Sequence, residues 1–391
     1  MPVWSACVLA AALMARMRVR SGCVGTWARM AHVPVQASCV PALRGPVAEA
    51  WVVLASLAIE AVVGYPSALH ARIPHPVVWA GNAISALERL WNRQQYTFAV
   101  RRLLGCVAVA LGAGVAVLVG LGLQWVVGVV VDAGGGSAAA TSGISVSLGP
   151  TWAHLAGALL IAIVGTTGLA QRSLFDHVNN VLSSLRAGDL VASRERVSLI
   201  VGRDTRQLDA TGVSAAALES LAESFNDGIV APAFWFLIAG LPGLFVYKVL
   251  NTADSLIGHK EERWRAFGWA AARADDVANL VPARIAGALL VLAGMGGLGV
   301  MFSDASKHAS PNAGWPEAAM AGALGIRLGG PATYDGVLHQ RPVFGTGPAP
   351  KVAELARGLR IYVVACGLLW LAIGIVGVAD VAMGSGVVWP H

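Results

Sequence analysis

Long uncharged apolar stretches are the feature that most limits how this chain can fold. Only 13% of its 391 residues are charged, and 56% are hydrophobic. A helix that crosses a bilayer needs about 20 mostly apolar residues, and only helices or closed barrels keep their backbone groups paired in lipid. The alternation typical of barrel strands is absent from the sequence. We therefore predict an all-α, polytopic integral membrane protein with candidate spans at Val47–Val63, Leu103–Val131, Trp152–Leu169, Ala283–Phe302 and Ile361–Val388.

A sixth apolar segment, Ile229–Leu250, is interrupted by helix-breaking residues. Pro232 lies near its start, and Gly-Leu-Pro-Gly occupies residues 240–243. Such a break produces a kinked span, a re-entrant hairpin or two half-helices, and the ends of half-helices often line binding sites. We slightly favour the plain kinked span. The expected total is about five or six transmembrane helices, joined by polar helical loops on the cytoplasmic side.

The basic residues indicate which loops face the cytoplasm. The net charge is +6, and much of the excess is arginine near the ends of the predicted spans. Residues 132–150 contain no Lys or Arg, so the positive-inside rule puts them outside and puts residues 172–228 in the cytoplasm. We expect a multi-pass protein of the cell membrane. Nucleic acid is not expected as a partner, because the basic residues form no stripe with interleaved aromatic residues.

Composition divides the chain into an N-terminal extension and one membrane domain. Residues 1–46 are expected to be poorly ordered, and residues 47–391 to form a single domain. Within that domain, residues 132–150 are rich in Gly, Ser and Ala and predict a flexible link, and residues 340–350 predict a Pro/Gly linker. The five scattered cysteines indicate neither a disulfide framework nor a zinc site.

Acidic residues are concentrated in a polar block at residues 201–334, although a charge at the centre of a membrane helix costs about 3 kcal/mol. Glu219, Glu223 and Asp227 follow one another at intervals of four, so a regular helix presents them on one face. Such oxygen ligands suit Mg²⁺, which takes one or two carboxylates together with nucleotide phosphates. The alternative is a solvated acidic face.

Basic and amide residues follow in the same block. Lys248 and Asn251 lie at helical spacing where the sixth apolar segment ends, and Asp254 comes next. A Lys beside an Asn suits a phosphate or a carboxylate, whereas a Lys alone could simply extend toward the interface. Residues 272–284, ARADDVANLVPAR, contain two acids, an amide and two arginines. That set exceeds what helix capping requires.

Six motifs allow a comparison with known families. They are HPVVWAG (75–81), GRDT (202–205), ESLAESFNDGIVAPAFW (219–235), YKVLNTADSLIGHK (247–260), FGWAAARADDVANLVPAR (267–284) and SPNAGWPEAAMAGALGIRLGGP (310–331). In residue types and order they resemble the adenosylcobinamide-phosphate synthase family of cobalamin biosynthesis, over roughly residues 50–390. The chain departs from the family pattern at Glu60 and Tyr65, where an Asp is usual, and at Asn82, where a basic residue is usual.

The resemblance implies a membrane ligase of the corrin pathway. Such enzymes join a carboxyl side chain of adenosylcobyric acid to aminopropanol or its phosphate, which gives adenosylcobinamide or its phosphate. The expected cofactors are ATP and Mg²⁺, the corrinoid is a substrate, and other enzymes of the pathway are candidate partners. The active site is expected on the cytoplasmic side.

The chemistry of the residues, taken with the resemblance, gives each candidate a hypothetical role. Activation of a carboxylate by phosphoryl transfer needs Mg²⁺ and cations on the phosphates, and the attacking amine must lose a proton. The predicted metal ligands are Glu219, Glu223 and Asp227, with Asp254 or Asp276. The predicted phosphate- or substrate-binding residues are Arg203, Lys248, Asn251, Lys260, Arg263, Arg284, Asn312 and Trp315. The predicted proton acceptors are Asp275, Glu317 and His259.

Three other functions remain open from the sequence alone. A multi-pass transporter would bind coupling ions at the broken segment, although the long polar loops and the lack of repeated halves argue against it. A metal-dependent prenyl-type transferase would use the Asn and Asp residues near 251–254 and 275–279 to bind a diphosphate. A scaffold for other corrin enzymes would need no catalytic residues.

Overall fold

Helices dominate the structure, a computed structural model that describes residues 46–65, 74–134, 152–334 and 336–382. Most of the predicted extension and most of the predicted link, residues 135–150, lie outside the described residues. The helices are α1 (Pro46–Val63), α2 (Pro76–Trp91), α3 (Phe98–Gly134), α4 (Trp152–Thr166), α5 (Gln171–Arg186), α6 (Leu190–Ser198), α7 (Ala210–Phe225), α8 (Ala231–Ile257), α9 (Glu262–Arg265), α10 (Trp269–Ala278), α11 (Pro282–Gly294), α12 (Leu298–Asp304), α13 (Gly314–Leu324) and α14 (Val352–Ala382).

Short irregular elements complete the described chain. A π-helical turn, Asn226–Val230, joins α7 to α8. The strands are β1 (Leu328–Gly329), β2 (Ala332–Tyr334), β3 (Val337–His339) and β4 (Val343–Phe344). They form two antiparallel pairs, β1 with β4 and β2 with β3. The predicted linker at residues 340–350 therefore contains a strand that pairs with the chain following α13.

Several helical segments can cross a membrane, which confirms the predicted all-α membrane fold. Among the described residues, four have the required length and apolar composition: Phe98–Val131, Trp152–Arg186, Ala210–Ile257 and Val352–Ala379. A fifth results if α10 and α11, which are bent by 48° at their junction, count as one span. The helix α1 is shorter, with an apolar part at Ala50–Val63.

The chain reverses direction inside α8. The backbone leaves the helical region at Ala239 and Gly240, where Gly240 has a φ of 63°. The Asn251 side-chain amide lies 3.2 Å from the Asp227 carboxylate, although 24 residues of straight helix would separate them by about 36 Å. Residues 231–257 therefore fold back as a re-entrant hairpin, the first hairpin. Ala210–Ile257, which has the length and composition of a span, is thus not a single crossing helix, and the favoured plain kinked span is wrong.

Glycine lets the tip of the first hairpin approach α3 closely. A Cβ atom on Gly120 would lie 2.5 Å from the backbone nitrogen of Pro242. Closer to the start of α3, a Cβ atom on Gly112 would lie 3.1 Å from a methyl group of Val249. The second arm of the hairpin thus runs along α3, and any larger residue at position 120 would push the two backbones apart.

A second reversal lies in the segment predicted as the continuous span Ala283–Phe302. The helix α11 ends at Gly294, and α12 begins at Leu298. Met295 and Gly297, with φ values of 52° and 94°, turn the chain between them. A Cβ atom on Gly287 would lie 2.8 Å from the Met301 sulfur, so α11 and α12 form the second hairpin. The prediction of a straight span is wrong because three glycines in four residues weaken the helix and allow left-handed backbone.

A buried acid secures the junction between α4 and α5. Four residues separate these helices, and the first backbone N–H groups of α5 have no partner within the helix. The Glu60 carboxylate of α1 accepts hydrogen bonds from the N–H groups of Gln171, at 2.8 Å, and Arg172, at 3.1 Å. The Tyr362 hydroxyl of α14 donates to the Gln171 carbonyl at 2.8 Å. The Ala170 N–H also donates to the Gly228 carbonyl at 3.1 Å, so α1, α4 and α14 meet next to the turn that leads into the first hairpin.

A polar cap, formed by α5, α6, α7 and α13 and the turns between them, covers the same end of the apolar helices. Its centre is α7, whose middle turns are fully buried and which contacts α5, α6, α13 and α14. The ring of Phe225, at the end of α7, makes an edge contact with Tyr362 at 5.8 Å between centroids. Burial of large apolar side chains at this contact, each worth about 1.5–3 kcal/mol, fixes the cap on the membrane helices.

Candidate functional site

A cavity of about 450 Å³ lies where α7, the first hairpin, α10 and the loop before α13 meet. Its walls carry five carboxylates, three Lys or Arg side chains and two histidines. We call this cavity the acid pocket. Its charged and amide residues are Glu223, Asn226, Asp227, Asp254, His259, Lys260, Arg265, Arg273, Asp275, Asp276, Asn279, His308 and Asn312.

A π-helical turn leads from the first acidic motif into the first hairpin. Pro232 has no N–H group, so a regular helix cannot continue through it without losing a hydrogen bond. The chain widens instead, and the Ala231 N–H donates to the carbonyl of Asn226, five residues back. Glu223 and Asp227 line the acid pocket, whereas Glu219, one turn earlier on α7, does not.

Amide side chains hold the acids at the floor of the acid pocket apart. The Asn251 amide lies between Asp227, at 3.2 Å, and Asp275, at 3.4 Å. The Asn279 amide donates to Asp275 at 3.0 Å, and its carbonyl oxygen accepts from Asn226 at 2.8 Å. These bonds fix the carboxylates of the first hairpin relative to those of α10.

Two further residues of the first hairpin support this floor. The Tyr247 hydroxyl is fully buried and donates to the Asn279 side chain at 3.1 Å. Lys248 interacts electrostatically with Asp227 and Asp275. Lys248 and Asn251 are therefore adjacent to the acid pocket, although neither lines it. Asn226 and Tyr247 were not assigned a role from the sequence, although both lie inside the recognised motifs.

Cations surround the mouth of the acid pocket. Lys260, Arg265 and Arg273 line it together with His259, and Arg273 pairs with Asp276 at 3.0 Å. The Trp269 ring also lines it. A guanidinium from α3, that of Arg102, stacks on the Trp269 ring at 3.6 Å from the centroid, a favourable cation–π distance.

A second buried charge cluster lies behind the pocket wall. Glu219, only 3% exposed, pairs with Arg203 and with Arg341, the latter at 2.9 Å, and accepts a hydrogen bond from the Gly329 N–H at 2.8 Å. Glu317 lies 3.8 Å from Arg341 and 3.7 Å from His308, a residue of the acid pocket. Arg341 was missed by the sequence analysis, because it lies in a segment that looked like a linker and belongs to no motif.

Burial sets the ionisation of Glu317. Loss of contact with water raises the pKa of its carboxyl well above the ordinary value, and the nearby acids Glu223 and Glu219 raise it further. Arg341 and Arg203 oppose this shift only in part. Glu317 therefore holds its proton to a higher pH than an ordinary carboxyl does. One of its oxygens has no hydrogen-bond partner among the described residues.

The remaining predicted site residues lie outside the acid pocket. Arg284 donates to the side chain of Asn312 at 3.1 Å, and its guanidinium lies 4.7 Å from the centre of the Trp315 ring. Arg263 pairs with Glu88 of α2 at 3.1 Å. The structure thus brings together Glu223, Asp227, Asp254, His259, Lys260, Asp275, Asp276 and Asn312, and it places Arg203, Glu219, Lys248, Asn251, Arg263, Arg284, Trp315 and Glu317 around or behind them.

The carboxylates of the acid pocket suit Mg²⁺ only in a partial ligand set. Within the described ranges, no three His, Cys, Asp or Glu residues are grouped as a ready metal site. A Mg²⁺ ion shared with phosphates needs only one or two carboxylates, and Glu223 and Asp227 could supply them. The metal roles of Glu219, Glu223, Asp227, Asp254 and Asp276 stay predictions.

Comparison with known sequences points to one family. The family model described as CobD/Cbib protein matches residues 53–362. The chain is 45% identical over 334 residues to the cobalamin biosynthesis protein CobD of Rhodobacter capsulatus, covering 84% of this chain and 98% of that protein. It is 44% identical over 323 residues to the protein of the same name from Sinorhizobium, covering 80% and 93%. No solved structure matches the chain.

Proposed function

Because the chain belongs to the CobD/CbiB family of cobalamin biosynthesis, we propose that it is an adenosylcobinamide-phosphate synthase. The proposed reaction forms an amide between a carboxyl side chain of adenosylcobyric acid and the amine of aminopropanol or its phosphate, with ATP as the energy source. The observation that carries this proposal is the acid pocket, where carboxylates and amides form the floor and cations form the mouth.

The charges of the acid pocket suit both halves of this reaction. A carboxylate is a poor electrophile, and transfer of the terminal phosphoryl group of ATP would convert it to an acyl phosphate. Lys260, Arg265 and Arg273 at the mouth could bind the phosphates. Glu223 and Asp227 could hold Mg²⁺, which would neutralise phosphate charge when bound. The amine nitrogen would then attack the acyl carbon and release inorganic phosphate.

The amine arrives as an ammonium ion and must lose a proton before it attacks. Of the three predicted proton acceptors, Asp275 and His259 line the acid pocket, whereas Glu317 lies behind its wall. Hydrogen bonds from Asn251 and Asn279 hold Asp275 in position at the floor. We therefore assign the proton transfer to Asp275, with His259 as the alternative acceptor.

The size of the acid pocket limits what it can enclose. A cavity of about 450 Å³ lies in the lower half of the range for ligand sites, and it suits a nucleotide or an amino alcohol phosphate better than a whole corrinoid. The corrin ring would then stay at the mouth, with only the reacting side chain inside. Arg101 and Arg102 at the start of α3 suggest that the mouth faces the cytoplasm.

A direct assay tests the proposal. Purified protein in detergent would be incubated with adenosylcobyric acid, Mg²⁺, ATP and either aminopropanol or its phosphate, and the corrinoid mass would be measured. The expected result is a mass increase equal to the amine minus water, which requires ATP. Unchanged corrinoid with both amines, in protein that is folded and monodisperse, would contradict the proposal.

Transport is the second candidate, because re-entrant hairpins beside a polar site are a feature of secondary transporters. The two hairpins at residues 231–257 and 282–304 give this structure that feature. Reconstituted vesicles would distinguish the two functions. Uptake of corrinoid into the vesicles without a change of mass would favour transport over synthesis.

A further inference from the structure

The second hairpin presents large apolar side chains to its surroundings. Leu292, Met295, Leu298 and Phe302 are 64%, 93%, 53% and 63% exposed. Residues 285–303 contain no charged residue and no histidine. An exposed apolar patch of this kind marks an interaction surface. The absence of charge and of hydrogen-bonding side chains at its tip suits hydrocarbon better than a protein partner, whose interface would carry a polar rim.

A neighbouring helix indicates the depth of this patch. A Cβ atom on Gly294, next to the tip, would lie 3.3 Å from a methyl group of Ile361 on α14. Ile361 is the first residue of an uncharged run that extends to Ala379, and the exposed Arg360 precedes it. Val363 and Val364, just beyond, are half exposed, as lipid-facing residues are. The tip therefore lies at the level where α14 enters the apolar part of a bilayer.

Direct contacts connect the second hairpin to the wall of the acid pocket. The ring of Phe302 makes an edge contact with Trp315, with 5.7 Å between centroids. Arg284, in the first arm, stacks on the same Trp315 and donates to Asn312. The Asn312 amide in turn donates to the Asp276 carbonyl at 2.7 Å. A continuous chain of contacts thus runs from a lipid-level side chain to two residues of the acid pocket.

We propose that the tip of the second hairpin is inserted into the hydrocarbon of the bilayer. This insertion holds the pocket wall, residues 310–316, in place. The partner is the acyl region of membrane lipid. The proposal rests on exposure, sequence and contacts, so it is independent of the reaction assigned to the acid pocket. It adds a membrane dependence to whichever chemistry that pocket performs.

Lipid labelling of the wild-type protein tests the insertion of the hairpin tip directly. The full chain would be placed in nanodiscs of phosphatidylcholine containing a photoactivatable acyl chain, irradiated, and mapped by peptide mass spectrometry. The expected result is label on residues 292–302, as on the exposed face of α3. Leu199 is an exposed leucine of the cap, 72% exposed, and is expected to stay unlabelled. Label on α3 with none on residues 292–302 would overturn the proposal.

A matched pair of variants tests the connection to the pocket wall. Met295→Asp puts a charge at the tip, and Leu199→Asp puts the same charge on an exposed leucine of the cap. Met295→Asp is expected to lose the acyl label at the hairpin and to speed hydrogen exchange at residues 310–316 in nanodiscs, whereas Leu199→Asp should change neither. Loss of label with unchanged exchange at residues 310–316 would refute the effect of the hairpin on the pocket wall. Retained label in Met295→Asp would refute the insertion of the tip into the bilayer.

Discussion

At the scale of single residues, the amide side chains of asparagine separate the carboxylates of the acid pocket. Asn279 is 2% exposed and bonds to Asn226, Tyr247 and Asp275. Each of these bonds satisfies a polar group that has little access to water. The floor of the pocket is therefore a network in which the loss of one member weakens the hydrogen bonding of several groups.

Replacement of Asn279 tests this network. Asn279→Ala removes the bonds that Asn279 makes to Asn226, Tyr247 and Asp275, and leaves the Tyr247 hydroxyl only a long bond of 3.4 Å to the Asp227 carbonyl. Each lost bond costs about 0.5–1.5 kcal/mol. We expect a clear decrease in the free energy of unfolding, measured by denaturant titration in detergent micelles. Asn82→Ala, on an exposed turn of α2, is the matched control and should change it little. Equal stability of both variants would show that the network contributes nothing.

Arg341 gives a second prediction at this scale. It neutralises Glu219, which is almost completely buried, and lies near Glu317. Removal of the sole partner of a buried charge costs about 3–5 kcal/mol, but Glu219 keeps Arg203 as a second partner. Arg341→Ala should therefore destabilise the protein by part of that amount, and the exposed Arg327→Ala should not. A melting temperature that falls equally in both variants would contradict this role.

The raised pKa of Glu317 predicts a pH dependence of stability. Its folded-state pKa is raised above the ordinary value of 4.5, so the folded protein holds this proton more tightly than the unfolded chain. The stabilisation is complete below the ordinary pKa and is lost progressively as the pH rises toward the folded-state value. Glu317→Gln cannot titrate, so it should flatten the decline in melting temperature as the pH rises above the ordinary value of 4.5. An unchanged slope in this variant would exclude Glu317 as the source.

The two hairpins are the main finding at the scale of secondary-structure elements. The sequence predicts apolar segments correctly, because lipid selects for composition. Whether such a segment crosses or folds back depends on one or two backbone angles, here at Gly240 and at Met295 with Gly297. Glycine permits these angles without requiring them. The interrupted sixth segment showed a possible break, whereas the glycines at 294–297 were not recognised as one.

Gly297 provides the prediction at this scale. Its φ of 94° suits glycine, and an added Cβ atom would collide with the backbone of Ala323 in α13. Gly297→Ala should therefore destabilise the protein by more than about 1 kcal/mol. Gly299, two residues later, is helical and has open space around it. Gly299→Ala should be neutral or stabilising by up to about 1 kcal/mol, and a reversed order in thermal unfolding would contradict the geometry.

At the scale of the whole molecule, the site predicted from the sequence and the observed site agree in part. Motifs scattered over residues 219–312 meet in one pocket, as expected for residues that share a site. The sequence could not separate Glu219 and Glu317 from the pocket acids, because only tertiary structure brings Arg203, Arg341 and His308 to these two carboxyl groups. Arg341 could not be predicted at all, since its partners are more than 20 residues away and only tertiary structure brings them together.

The central claim is that the acid pocket joins the amine to the corrinoid carboxylate, with Asp275 accepting the proton. The rate of corrinoid amide formation by Asp275→Asn, compared with wild type, tests it most directly. Asp176→Asn, an exposed acid of α5 that pairs with Arg172, is the matched control. We predict that Asp275→Asn is slower by about 100-fold or more, while Asp176→Asn keeps the wild-type rate. Wild-type turnover by Asp275→Asn would contradict the account.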